Sequence, residues 1–133
     1  MWTGRRANIA AYVLGLLWLG FGVMHFGAHD ETLRQMPPYF PWKSFWVYST
    51  GVAEILVGVG MFAATTRSLA ARTSIVLLLV YTPAVIHIVA HDVIPLDWPQ
   101  ALRWFFRWFM APINVGMGYW AYAYVRTSRF TAR

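Results

Sequence analysis

Apolar positions along this chain come in long unbroken blocks rather than in the stripes of a half-buried surface helix. Four blocks, at about residues 7–26, 45–64, 73–90 and 108–125, are separated by short stretches that hold nearly all the charges. Each block is roughly the length a helix needs to cross a ~30 Å hydrocarbon layer at 1.5 Å rise per residue. Pro83 and Pro112 fall inside blocks, which neighbouring helices make tolerable by satisfying the freed carbonyls. The pattern predicts an all-α fold, an integral membrane antiparallel four-helix bundle forming a single domain over residues 1–133.

Composition agrees: 59% of residues are apolar and 12% charged, against about 25% charged in an ordinary soluble domain. The +6 net charge is not a nucleic-acid signal, because the basic residues sit at the edges of the apolar blocks. They set direction instead. One side collects Arg5, Arg6, Arg67, Arg72, Arg126, Arg129 and Arg133 with no acid, whereas Arg34, Lys43, Arg103 and Arg107 on the other are matched by Asp30, Glu31, Asp92 and Asp97. Positive residues gather on the cytoplasmic side, so both termini are expected inside. Arg5 and Arg6 ahead of the first block resemble a signal-peptide leader, but the block is too long and lacks a small-x-small cleavage site, so it is read as a retained span. The preference for Arg over Lys suggests a bacterial source and a multi-pass protein of the cytoplasmic (inner) membrane, with the lipid bilayer as its first partner.

Aromatics mark the opposite, outer side. Tyr39, Phe40, Trp42, Phe45 and Trp46 flank the second block and Trp98, Trp104, Phe105 and Trp108 the fourth, as in an interfacial belt. Pro37, Pro38, Pro41, Pro95 and Pro99 break the two outer loops. The absence of cysteine removes disulfide exchange, thiolate catalysis and iron–sulfur ligation. With no phosphate-binding glycine loop and no nucleophile–base pair, enzymatic activity is left open.

Chemistry is sought in polar groups inside the blocks. Glu54, the one acid within a block, lies near mid-bilayer, where an acid costs about 2.5–3.5 kcal/mol on insertion scales and usually has a partner. Thr50 shares its helical face. The first and third blocks end in matching patterns, His25…His29-Asp30 and His87…His91-Asp92. A spacing of four puts both members of each pair on one helix face. His25, Glu54, His87 and Asn114, one from each helix, are expected to converge in the outer half of the bundle, with Glu54, His87 and His25 as the proton-handling groups. Four readings fit: a self-satisfied hydrogen-bonded cluster; a pocket for a quinone, lined by Asn114 and Thr50; a metal site built on His25, His87, His29 and His91; and haem held by histidines of the first and third helices. Arg103 and Arg107, on one face of the fourth helix, are suited to an anionic headgroup, a propionate or the outer-loop acids. The glycines at 15, 20, 22, 51, 58, 60, 116 and 118 read as helix-packing positions.

Several runs resemble a known family. Met36-Pro37-Pro38-Tyr39-Phe40-Pro41-Trp42, the segment Tyr48–Gly60, Thr66-Arg67, Ala70-Ala71, His25-Phe26 and Pro83-Ala84-Val85-Ile86-His87 are similar to small DoxX-like membrane proteins over roughly residues 12–90. The resemblance implies a four-helix membrane bundle with Glu54, His25 and His87 as family polar positions, and an association with thiosulfate:quinone oxidoreduction. The expected role is a quinone-interacting or accessory subunit of a membrane redox system, working with other membrane or redox subunits. The alternatives are a non-catalytic assembly subunit of a larger complex, or a histidine-based metal or haem protein.

Overall fold

The computed structural model describes residues 5–94 and 97–130, with side chains from 7 to 94 and 97 to 126. Pro95 and Arg133 lie outside the described residues, as do the side chains of Arg5, Arg6 and Arg129. The all-α expectation holds. There are five helices among the described residues rather than four: α1 (Arg5–Gly27), α2 (His29–Gln35), α3 (Lys43–Phe62), α4 (Arg67–His91) and α5 (Gln100–Phe130). The extra one is α2, a two-turn piece in the connection between α1 and α3 with no buried residue.

Three helices are long and apolar enough to cross a membrane, over Ala7–Gly27, Lys43–Phe62 and Arg67–His91. The fourth expected span falls within α5. It is uncharged from Trp108 to Val125, but Trp, Tyr, Gly, Pro and Asn dilute its aliphatic content, so it does not reach the hydropathy of the other three.

Packing runs from α1 onto α3, from α3 onto α4 and from α4 onto α5. Antiparallel α1 and α3 meet backbone to backbone. A Cβ placed on Gly15 would stand 3.0 Å from the Gly58 carbonyl oxygen, and one on Gly22 would stand 2.9 Å from that of Gly51. Each helix therefore presents two glycines seven residues apart, two turns along one face. Only a missing side chain permits this approach. Gly60 packs likewise on Ala70, but a Cβ on Gly20 or Gly116 would meet nothing within 4 Å. Those two glycines are not packing positions.

The end of the bundle where α3 passes into α4 is tied by Arg67, which is only 5% exposed. Its Nε donates to the Met61 carbonyl (2.8 Å) and its Nη2 to that of Phe62 (3.3 Å), while Nη1 donates to Asn8 Oδ1 (2.8 Å). The guanidinium also lies 5.4 Å from the Tyr12 ring centroid. A residue counted from sequence as a loop charge is thus the cap for α3's final carbonyls, groups a helix end leaves without partners. Around it Leu14, Trp18, Val57, Met61, Ala71, Leu78, Met117 and Ala121 form one core. The outward faces are aliphatic instead: Leu16, Leu56, Leu69, Leu79 and Val115 are 61–71% exposed.

Candidate functional site

The glycine contacts of α1 and α3 decide what sits beside them. His25 follows Gly22 by three residues and Glu54 follows Gly51 by three, so in this antiparallel pair they flank the Gly22–Gly51 contact from opposite sides, and side chains that lean toward their own helix N-terminus both reach back over it. There His25 Nδ1 comes to 2.9 Å from Glu54 Oε2. The same nitrogen lies 2.9 Å from the Phe21 carbonyl oxygen. A carbonyl only accepts, so Nδ1 carries a hydrogen, and that hydrogen is aimed at Phe21. Glu54 Oε2 is left buried without a hydrogen bond of good geometry, although the residue is only 2% exposed. Thr50, one turn back on α3, spends its hydroxyl hydrogen on the Trp46 carbonyl (2.6 Å).

From α4, Tyr81 turns its hydroxyl toward Glu54 and Thr50, and that oxygen too lacks a well-formed hydrogen bond. Its ring lies over that of His25, with centroids 6.3 Å apart, and 6.4 Å from that of Trp18. Trp18 is buried with its Nε1 unpartnered.

All these groups line one cavity of about 170 Å³. The rest of its wall is apolar, drawn from α1, α4 and α5, with Thr32 and Gln35 of α2 over the outer end. Buried polar atoms in folded proteins are nearly always satisfied. Three residues of this wall each carry a buried side-chain atom without a well-formed hydrogen bond, Trp18 (Nε1), Tyr81 (Oη) and Glu54 (Oε2), although Glu54 Oε2 keeps His25 Nδ1 at 2.9 Å.

Other residues singled out from sequence lie elsewhere. His87 does not reach the cavity. Its neighbour Ile88 is in the wall, and a one-residue step turns a helical side chain by 100°, so His87 stacks near His91 instead, with centroids 4.7 Å apart. The two matching histidine endings are not equivalent. On the first, α1 stops at Gly27 and α2 begins at His29, so His29 leaves the face of His25, stacks on Tyr48 at 4.6 Å and approaches Asp30. On the second, α4 runs on through His91, and Asp92 turns left-handed at φ 47°. Among the described residues no three His, Asp or Glu side chains gather as a metal site requires. Asn114 is half-buried beside the wall residue Ile113 but is not itself in the wall.

Arg103 and Arg107 take the outer-loop acid. Asp92 Oδ2 lies 3.1 Å from Arg103 Nη2 and 3.6 Å from Arg107 Nη1. Arg107 Nε also donates to the Val89 carbonyl at 2.9 Å. The pair closes the C-terminal end of α4 onto α5.

Sequence reasoning missed Tyr81 and Trp18. A signal for Tyr81 existed: Ser74, Tyr81 and Ile88 recur every seven residues on one face of α4, the face His87 is off. Trp18 sits likewise seven residues before His25 on α1.

A family model matches residues 14–125, most of the chain. The chain belongs to the family described as a domain of unknown function, DUF8561. This corrects the DoxX-like resemblance: the match is to DUF8561 and not to DoxX, and the helices number five rather than four. The misleading runs are rich in residues that any tight helix pair requires. Gly51 and Gly58 of the Tyr48–Gly60 segment are there to meet Gly22 and Gly15. No curated protein and no solved structure matches the chain.

Proposed function

We propose that this DUF8561 protein is a multi-pass protein of the bacterial inner membrane that holds a quinone in the cavity between its helices. In this reading α1, α3, α4 and α5 all cross the bilayer with both termini cytoplasmic, and α2 lies at the outer surface. The exposed aliphatic faces of α1, α3 and α4 support a lipid setting, as does the loop charge asymmetry.

What supports the ligand is that three residues lining one largely apolar cavity, Trp18, Tyr81 and Glu54, each carry a polar atom without a well-formed hydrogen bond. A quinone carbonyl accepts hydrogen bonds, and Trp18 and Tyr81 have donors to give. Glu54, with His25 beside it, is placed to take up or release the proton that accompanies quinone reduction or quinol oxidation. The electrons come from a partner redox subunit, which makes this chain the quinone-holding accessory.

The test is mass spectrometry of a solvent extract from protein purified in mild detergent, with an optical spectrum of the same sample. A quinone at close to one per chain is expected, and it should be lost from Trp18→Phe/Tyr81→Phe protein. An extract holding only bulk phospholipid from both samples overturns the reading.

A further inference from the structure

The cavity's size and its least-packed edge narrow the guest further. An apolar protein cavity of about 150 Å³ accommodates benzene, and this one is about 170 Å³. One six-membered ring fills it. A fused second ring exceeds that volume and must displace wall side chains, which a close-packed interior resists. Two wall residues carry a donor without a well-formed hydrogen bond, Trp18 and Tyr81, on rings 6.4 Å apart. Trp donates only, so the guest must bring an acceptor to it.

One edge of the bundle is loose. Among the described residues α1 and α5 barely approach each other, and the cavity wall there is made by long side chains reaching across, Phe21 and Met24 from α1 and Phe106 and Met110 from α5. Met24 is 44% exposed and still lines the cavity, so the cavity comes to the surface beside it. Flexible thioether side chains can part there without moving backbone. The flank outside is apolar, with Val23 60%, Phe105 53% and Phe109 44% exposed.

We propose that the site accepts a single-ring, benzoquinone-type head, with carbonyl oxygens served by Trp18 and Tyr81, and that its isoprenoid tail leaves sideways into lipid through the seam between α1 and α5. The proposal rests on the quinone reading above and adds ring number, donors and route.

The experiment measures saturable binding to the full chain in detergent, using a decyl-tailed benzoquinone and a naphthoquinone carrying the same tail. The benzoquinone should bind at one per chain and the naphthoquinone at least about tenfold more weakly. Trp18→Phe and Tyr81→Phe should each weaken the benzoquinone by about tenfold, the scale of one lost hydrogen bond. Met24→Trp, which plugs the seam from its exposed side, should weaken it while leaving thermal stability unchanged. Equal or tighter naphthoquinone binding overturns the single-ring assignment but leaves the quinone reading standing. Unchanged benzoquinone affinity in both donor variants overturns the donor assignment, and unchanged affinity in Met24→Trp overturns the route. If neither quinone binds, the quinone reading itself fails.

Discussion

His25 on α1 and Glu54 on α3 stand 2.9 Å apart across the antiparallel contact of Gly22 with Gly51, which brings the two backbones together between them. A Cβ on Gly22 would sit 2.9 Å from the Gly51 carbonyl oxygen and 2.7 Å from Ile55 Cγ1, separations that only movement of α3 can relieve. Gly22→Ala should therefore lower stability by about 1–3 kcal/mol and abolish the close His25–Glu54 approach. Gly20→Ala, on the same helix with nothing within 4 Å of its Cβ, should instead gain up to about 1 kcal/mol in helix propensity. Thermal unfolding in detergent compares the two. Equal shifts would show that the glycine contact does not set the helix spacing.

Glu54→Gln keeps a hydrogen-bonding group of the same shape at the same depth. The fold and quinone retention should survive, whereas proton-coupled quinone turnover in the presence of the partner subunit should fall at least about 100-fold, the lower end of general acid–base contributions. Full turnover in this variant would leave Glu54 a structural role only.

Tyr81→Phe separates ligand binding from stability. Its hydroxyl faces Glu54 and Thr50 without a well-formed hydrogen bond, so removing it should cost little stability. The ligand-free variant should melt close to the wild-type temperature, and lose the further stabilisation that added quinone gives the wild type. A large loss of stability without ligand would mean that the hydroxyl is satisfied internally.

Arg67 holds two carbonyls of α3 and Asn8 of α1 with one guanidinium. Arg67→Ala leaves those acceptors unpaired in a buried place and should cost about 3 kcal/mol, the upper range for hydrogen bonds to a charged group. Arg67→Lys keeps the charge but not the planar fork, so it should recover only part of that loss. Complete rescue by Lys would reduce the residue's role to its charge.

The lack of cysteine allows topology to be read by single-cysteine labelling. Thr65, Pro38 and Asp97 are all exposed at helix ends or in loops. In intact cells Pro38→Cys and Asp97→Cys should react with a membrane-impermeant maleimide, and Thr65→Cys should react only after lysis. Labelling of Thr65→Cys in intact cells would invert the assignment of sides.

Much of the helical layout was legible in the sequence, because block length is local. A run of apolar residues long enough to span a bilayer specifies a helix whatever packs on it, and α1 and α3 match the expected blocks to within two residues, as does the end of α4. The α4 start was misplaced from 73 to 67 because Arg67 and Arg72 look like loop charges. A charge is placed in a loop by default, and only the Met61 and Phe62 carbonyls at α3's end show why Arg67 is buried. The break at Gly27–Ala28 was likewise hidden. Polar residues continue past it with helical spacing, and α2 carries that spacing on a new axis.

Sequence alone determined that Glu54 needs company, since an acid deep in an apolar helix is costly wherever its neighbours are. It also singled out His25. Which other groups meet that acid was decided only by the tertiary structure. His87 and Tyr81 lie on the same helix six residues apart, and at 100° per residue only one of them can face the cavity. The rotation of α4 about its own axis makes that choice, and it follows from the burial of Ala70, Ala71, Ser74, Leu77 and Leu78 against α3 and α5. Histidine is the more conspicuous letter in a sequence, but the buried stripe of small residues carries Tyr81 inward and turns His87 away.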